Sequence, residues 1–270
     1  MVPVKVEKGE IMPVGGRLLC ILVLFATFSA HAQLNIDRKT VRFGLTKAPP
    51  LSYVSNWKAA GIFGVVGTRI LQEMGYIVVP VEVPFARLYE SVHRDTIDIA
   101  GGVLKTEDRK QLAYYTAPLI RDYVLLAVNK QDPIVMEALS DLSGETLGIV
   151  SGFTFPGLAS VPNVRFEKAE DEKAALHRLA AKRLRGVITS SIRGVTLVKK
   201  DPVLKQSIEL LPLAIEEVKV GFALSQKTFS EEDLKTFNKI LAHLKASPEW
   251  PQLLEKEDIA PLVRTWPVAK

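Results

Sequence analysis

Arg109 stands three residues after Thr106 in the stretch Gly101 to Pro118, GGVLKTEDRKQLAYYTAP, which follows an apolar run from Ile97 to Ala100. An apolar strand ending in Gly101-Gly102 lets the backbone come close to a ligand, because glycine adds no side-chain bulk. Thr106 is placed to cap the next turn. Arg109 then offers a planar fork of N–H donors that suits a carboxylate or another oxyanion and stays charged at any working pH. The chemistry suggested is capture of an anion. The plainer reading is a surface arginine paired with Glu107 or Asp108, and the spacing alone leaves both open.

Constellations for making or breaking bonds are sparse. His93, His177 and His243 fall in helix-like segments without metal-ligand spacing, so no metal is expected. Ser151-Gly152 and Ser190-Ser191 lack a Gly-x-Ser-x-Gly setting, and no phosphate-binding glycine loop is present, so no cofactor is expected either. The single cysteine, Cys20, lies in the N-terminal apolar run, which leaves the rest of the chain without disulfide or thiol nucleophile. The net charge of +5 is mild and dispersed, and no basic stripe interleaves with aromatics, which argues against a nucleic-acid partner.

The elements that must position these residues alternate between strand and helix, which argues for an α/β fold. Strands are predicted at Val41 to Leu45, Ile77 to Val83, Ile97 to Ala100, Val124 to Val128, Thr146 to Val150, Val187 to Thr189 and Val218 to Leu224. The clearest helix runs from Glu231 to Leu244, with Leu234, Phe237, Ile240, Leu241 and Leu244 on one face and Ser230 with Asp233 as a reciprocal cap. Breaks are expected after Val128, where Asn129 to Pro133 is polar and ends in proline, and near Glu216-Glu217.

The N-terminus reads as a leader for export. Lys5, Lys8 and Arg17 precede an apolar run from Leu18 to Phe28, and Ala30-His31-Ala32 supplies the small residues of a cleavage site, so residues 1–32 are the expected signal peptide and Gln33 the mature start. The run is far short of the roughly 20 residues that span a bilayer. Met12 is an alternative initiator, since a shorter complete leader begins there. Removing three cations and two anions with the leader leaves a net charge of about +4.

The Thr106-x-x-Arg109 turn, followed by Tyr115-Thr116-x-Pro118, resembles the family 3 extracellular solute-binding proteins, the periplasmic receptors of polar amino acid transporters. The resemblance extends from Val41 onward, through Pro49 to Tyr53, the helix from Gly61 to Gly75, Pro84 to Leu88, Asp98, Leu142 to Gly148 and Ser151 to Thr154. It implies an α/β fold of the type II periplasmic binding class, with two lobes, each a mixed sheet flanked by helices, joined by two hinge crossings. The first lobe would hold residues 33–129 and 219–270 and the second 130–218. It further implies a periplasmic monomer that closes on a small-molecule ligand without catalysis and serves an inner-membrane permease or sensor.

On that pattern the first lobe would bring Arg109, Thr106 and an aromatic wall from Phe85 to the ligand, joined by Arg87 and Lys47 unless these are merely exposed cations. The second would bring Gly152, Phe153 and Thr154, whose N–H groups at a helix start could meet an anion, and Ser190. Departures from the pattern are informative. Ser190 stands where the amino acid receptors carry an aspartate for the ligand's ammonium, Arg185 replaces an earlier aspartate, Gly102 and Leu104 replace hydroxyl residues, and Val65 replaces an acid. These changes lead us to expect an anionic or carboxylate-bearing ligand lacking the amino group. Alternatives are a sensory protein using the same cleft, or a dehydratase such as some members of the fold are; its proton donor could not be assigned among Glu82, Glu145 and Glu217.

Overall fold

In the computed structural model the apolar runs of the first half become strands of one sheet. The structure describes residues 39–158 and 161–269, together with Pro3. The expected leader 1–32 and mature start Gln33 lie outside the described residues. In chain order the elements are β1 (Thr40–Leu45), β2 (Tyr53–Ser55), β3 (Lys58–Ala60), α1 (Gly61–Glu73), β4 (Ile77–Glu82), α2 (Phe85–His93), β5 (Ile99–Leu104), β6 (Tyr114–Tyr115) and β7 (Ile120–Asn129). They continue as β8 (Thr146–Val150), β9 (Arg165–Ala169), α3 (Glu172–Ala180), β10 (Gly186–Ser190), α4 (Ser191–Lys200), α5 (Pro202–Ser207), β11 (Ile208–Leu224), α6 (Glu231–Ala246) and α7 (Glu249–Lys256).

Among the described residues one sheet runs in the order β4-β1-β5-β11-β7-β10-β8-β9, with β6 added to β11. Its two ends are parallel, β4 with β1 and β5 on one side and β10 with β8 and β9 on the other. Between them β11 and β7 run antiparallel and join the halves. The 17-residue β11 pairs with β7 in its first part and with β5 in its last. It passes through Glu216 and Glu217 without interruption, so the break expected there from the two charges is not a loop. Its irregularity lies earlier, where the register shifts on either side of Ala214 and the C-terminal segment fills the gap through Ala214 N–H to Pro267 O and Ala269 N–H to Ala214 O.

The halves have separate cores. In the first, Ile62, Phe63, Val66, Ile70 and Leu71 form one face of α1, and α6 adds Phe237, Leu241 and Leu244 over Phe43 and Phe222. The α6 start is capped as expected: Ser230 Oγ accepts from Asp233 N–H at 3.1 Å, and Asp233 accepts from Ser230 N–H at 2.7 Å, an arrangement worth about 1 kcal/mol. The second core gathers Val124, Leu126 and Val128 with Leu142, Leu147 and Ile188. Leu119 and Ile120 pack in the first core, so the change of core falls within β7 and before the polar turn at Asn129. Near the C-terminus Trp266 returns to the second half and packs on Tyr123, Leu125 and Ala214.

Candidate ligand-binding cleft

A cavity of about 110 Å³ lies where the two cores face each other, bounded by Phe63, Phe85, Leu104 and Arg109 on one side and by Asp122, Phe153, Glu172, Ser190 and Arg193 on the other. A neighbouring chamber of about 300 Å³ shares Thr46, Ala48, Phe85, Phe153, Glu172 and Arg193 with it and adds Lys47, Glu82, Glu170 and Asp171. Sequence reasoning placed Arg109, Phe85, Phe153, Thr154 and Ser190 here, and all five line the first cavity. Lys47 lines only the neighbouring chamber.

Arg109 ends a 3-10 turn, Glu107–Arg109, and its side chain is only 12 % exposed. The guanidinium lies 3.8 Å from the Tyr89 ring centroid, a cation–π distance. The Tyr89 hydroxyl is itself held by Leu104, donating to its carbonyl at 3.2 Å and accepting from its N–H at 2.9 Å. Burial pushes the Tyr89 hydroxyl above the usual tyrosine range, so it stays neutral beside the arginine. From the other side the Tyr115 hydroxyl donates to the Arg109 carbonyl at 3.1 Å. The surface-pair reading holds only in part: Glu107 pairs with Lys110, while Asp108, mostly exposed, makes a long ion pair with Arg109 Nε at 3.8 Å. Arg109 makes one long hydrogen bond, Nη2 to Gly152 O at 3.4 Å, so most of its donors have no protein acceptor among the described residues.

Gly102 is the residue that the register shift between Gly221 and Phe222 leaves unmatched in β5, with φ of 81°, a bulge that glycine tolerates and that borders the cavity. Thr116 serves the same region structurally. Its hydroxyl accepts from Phe222 N–H at 3.1 Å and donates to Ala117 O at 2.8 Å, tying the segment after β6 to β11.

Three expectations need correction. Thr106 precedes the turn without capping it; its hydroxyl is buried without a hydrogen-bond partner and does not border the cavity. Arg87 is exposed on α2 and lines neither chamber. Gly152-Phe153-Thr154 is a turn and not an α-helix start: Phe153 N–H is taken by Val150 O at 3.1 Å, and the group offered across the cleft is the Gly152 carbonyl. What this turn does supply is close contact, with the Phe153 and Phe85 rings edge to face at 4.5 Å.

Sequence reasoning missed three charged residues of the cavity wall. Glu172, at the start of α3, accepts from Thr189 Oγ1 at 3.0 Å, Ser190 N–H at 3.2 Å and Arg193 Nε at 2.7 Å. Arg193 also donates to the Pro49 carbonyl across the cleft. Asp122 is buried in β7 and accepts from the Ser190 hydroxyl, from Ser191 Oγ at 2.7 Å, from Tyr123 N–H at 2.8 Å and from Ile192 N–H at 3.4 Å. Burial pushes its carboxyl above the usual range, and these four donors pull it back only in part. Ser190 is therefore committed twice, donating to Asp122 and accepting from Arg193 N–H at 3.2 Å as the cap of α4. A carboxylate expected to be missing at position 190 is present one strand away. The only available signals were an acid inside an apolar strand and an arginine three residues after a serine. Among the described residues no three His, Cys, Asp or Glu side chains are grouped to hold a metal, and no helix is long and apolar enough to cross a membrane.

Residues 41–257 match the model of the bacterial extracellular solute-binding proteins, family 3. The chain belongs to this family. Its fold is similar to an ancestral arginine-binding protein bound to arginine, with a TM-score of 0.68 at 23% identity over 81% of this chain and 98% of that one. It is likewise similar to holo ArgBP from T. maritima, TM-score 0.68 at 21% identity over 82% and 96%. The substrate binding protein of an amino acid ABC transporter gives 0.69 at 18% identity over 80% and 98%. No curated protein sequence matches the chain. The fold is the two-lobe type II periplasmic binding class, and the protein is a solute-binding protein, not an enzyme.

Proposed function

We propose that this solute-binding protein captures a small anionic, carboxylate-bearing solute between its lobes, with Arg109 as the anchor, and delivers it to an ABC-type permease from the periplasm. The observation that carries the reading is the contrast between two buried arginines. Arg193 is paired with buried Glu172 at 2.7 Å and also bonds Pro49, whereas Arg109 lines the cavity with one long bond to Gly152 and no buried carboxylate beside it. A charged hydrogen bond formed there, away from water, is among the stronger available. Similar solved structures are bound to arginine and to glutamine, which carry a carboxylate but no net negative charge. Phe85, Phe153, Thr154 and Ser190 form the walls, and Lys47 stands at the outer chamber. The two cores support a first lobe ending near Ile120 and resuming near Val220, with the second lobe beginning near Val124. Ligand contacts to both lobes would favour the closed arrangement by differential affinity.

Thermal shift against carboxylates, sugars and inorganic anions tests this. A carboxylate at about 100 times its Kd should add roughly 2.7 kcal/mol, a rise of several degrees. Stabilisation by sugars alone would contradict the proposal.

A further inference from the structure

Resting on the carboxylate-receptor reading, we propose that the ligand is a compact monocarboxylate with an apolar body and no ammonium group. The polar groups of the cavity wall divide sharply. Asp122 already accepts four hydrogen bonds, and Glu172 accepts three, all from within the second half of the chain. Ser190 is both donor and acceptor within the same network. A ligand ammonium entering here would find Asp122 with its four acceptor sites filled and Glu172 with one site left on Oε2, where it would meet the Arg193 guanidinium already paired there. An unpaired buried charge is heavily penalised. Arg193 is neutralised by buried Glu172 at 2.7 Å, whereas the acid nearest Arg109, Asp108, is 3.8 Å away and mostly exposed, so Arg109 is the cavity cation without a buried counter-ion among the described residues.

The rest of the wall is mostly hydrocarbon, with Thr46, Ser52, Tyr123 and Thr154 as neutral polar residues in it. Phe63, Phe85, Leu104, Val124, Phe153 and Val218 bound the space. An apolar cavity of about 150 Å³ is dry and takes benzene, so a chamber of about 110 Å³ suits a branched short chain or a small ring. The outer chamber sets the charge count. Glu82, Glu170, Asp171 and Glu172 outnumber Lys47 and Arg193 there, which opposes a second carboxylate reaching outward.

Isothermal titration with matched probes tests this on the purified protein: 3-methylbutanoate against valine, 3-phenylpropanoate against phenylalanine, with arginine and succinate alongside. The expected result is that at least one amino-free acid binds tenfold or more tighter than its amino acid partner and than succinate. Val124→Thr, which puts a hydroxyl into the apolar wall at nearly constant shape, should weaken that acid threefold or more. Amino acids binding as tightly as their partners, or unchanged affinity in Val124→Thr, would overturn this inference and leave the carboxylate receptor standing. Failure of every carboxylate to bind a protein that still melts cooperatively would overturn both.

Discussion

Gly152→Ala should separate closure of the cleft from stability. Gly152 has φ of 88°, and a Cβ added there would lie 2.7 Å from Ala86 Cα, 3.2 Å from Ala86 N and 3.3 Å from Ala86 Cβ, on the opposite side of the cleft. Two costs follow. The left-handed backbone costs an alanine about 1–2 kcal/mol in any arrangement of the lobes. The overlap with Ala86 arises only when the lobes meet, and reaching the closest ordinary contact requires them to part by about 0.7 Å, which loosens the Phe85–Phe153 edge-to-face pair beside it. Overpacking of this kind costs about 1–3 kcal/mol, a fivefold to 150-fold loss of affinity for any ligand that needs the closed form. The assay is titration with the best stabilising solute, paired with small-angle scattering of the liganded protein and a melt of the unliganded one. A lowered melting temperature with unchanged affinity and unchanged liganded compaction would refute the reasoning, because the contact with Ala86 would then play no part in binding.

Glu172→Gln leaves the Arg193 charge buried without its partner, both side chains being under 10 % exposed. A loss of about 3–5 kcal/mol is expected, a fall of roughly 10 °C in a melt; a fall of under 2 °C would contradict it. Asp122 and Asp98 should show opposite pH dependence. Burial raises the Asp122 carboxyl, so its folded value lies above the unfolded one and the stability it contributes is present in acid and lost as pH rises through the folded value. For Asp98 burial also pushes upward, but the Arg42 fork and N–H and the Thr228 hydroxyl outweigh it, so its contribution is present at neutral pH and lost as pH falls through the lowered value. Urea melts should show Asp98→Asn costing more at neutral than at acid pH, and the wild type's advantage over Asp122→Asn shrinking as pH rises. The same trend in both variants would contradict this pair.

β1, β4 and β5 were legible as short apolar runs, and α6 by its apolar face and local Ser230–Asp233 cap. β9 was not legible, since Arg165, Phe166, Glu167 and Lys168 sit on an exposed sheet edge with no buried face to pattern them. The β2–β3 hairpin was hidden for a different reason. Its turn places Asn56 and Trp57 at positive φ, and a tryptophan, here 92 % exposed, is no sequence signal for that conformation. Glu216 and Glu217 read as a break because their partners, Gly157 N–H and the Tyr123 hydroxyl, are distant in sequence. The site divides along the same line. Arg109 could be found because its turn resembles the Thr-x-x-Arg pattern of the family, whereas Asp122 meets Ser190 and Ser191 only across paired strands, nearly seventy residues away.

The most direct measurement is titration of the wild type, Arg109→Met and Arg109→Lys with the solute that stabilises the wild type most. If Arg109 anchors a carboxylate, Arg109→Met should lose the charged hydrogen bonds, about 1.5–3 kcal/mol or a tenfold to 150-fold rise in Kd, and Arg109→Lys should recover part of it. Equal affinity in all three, with each variant still melting cooperatively, would contradict the anchor and the function built on it.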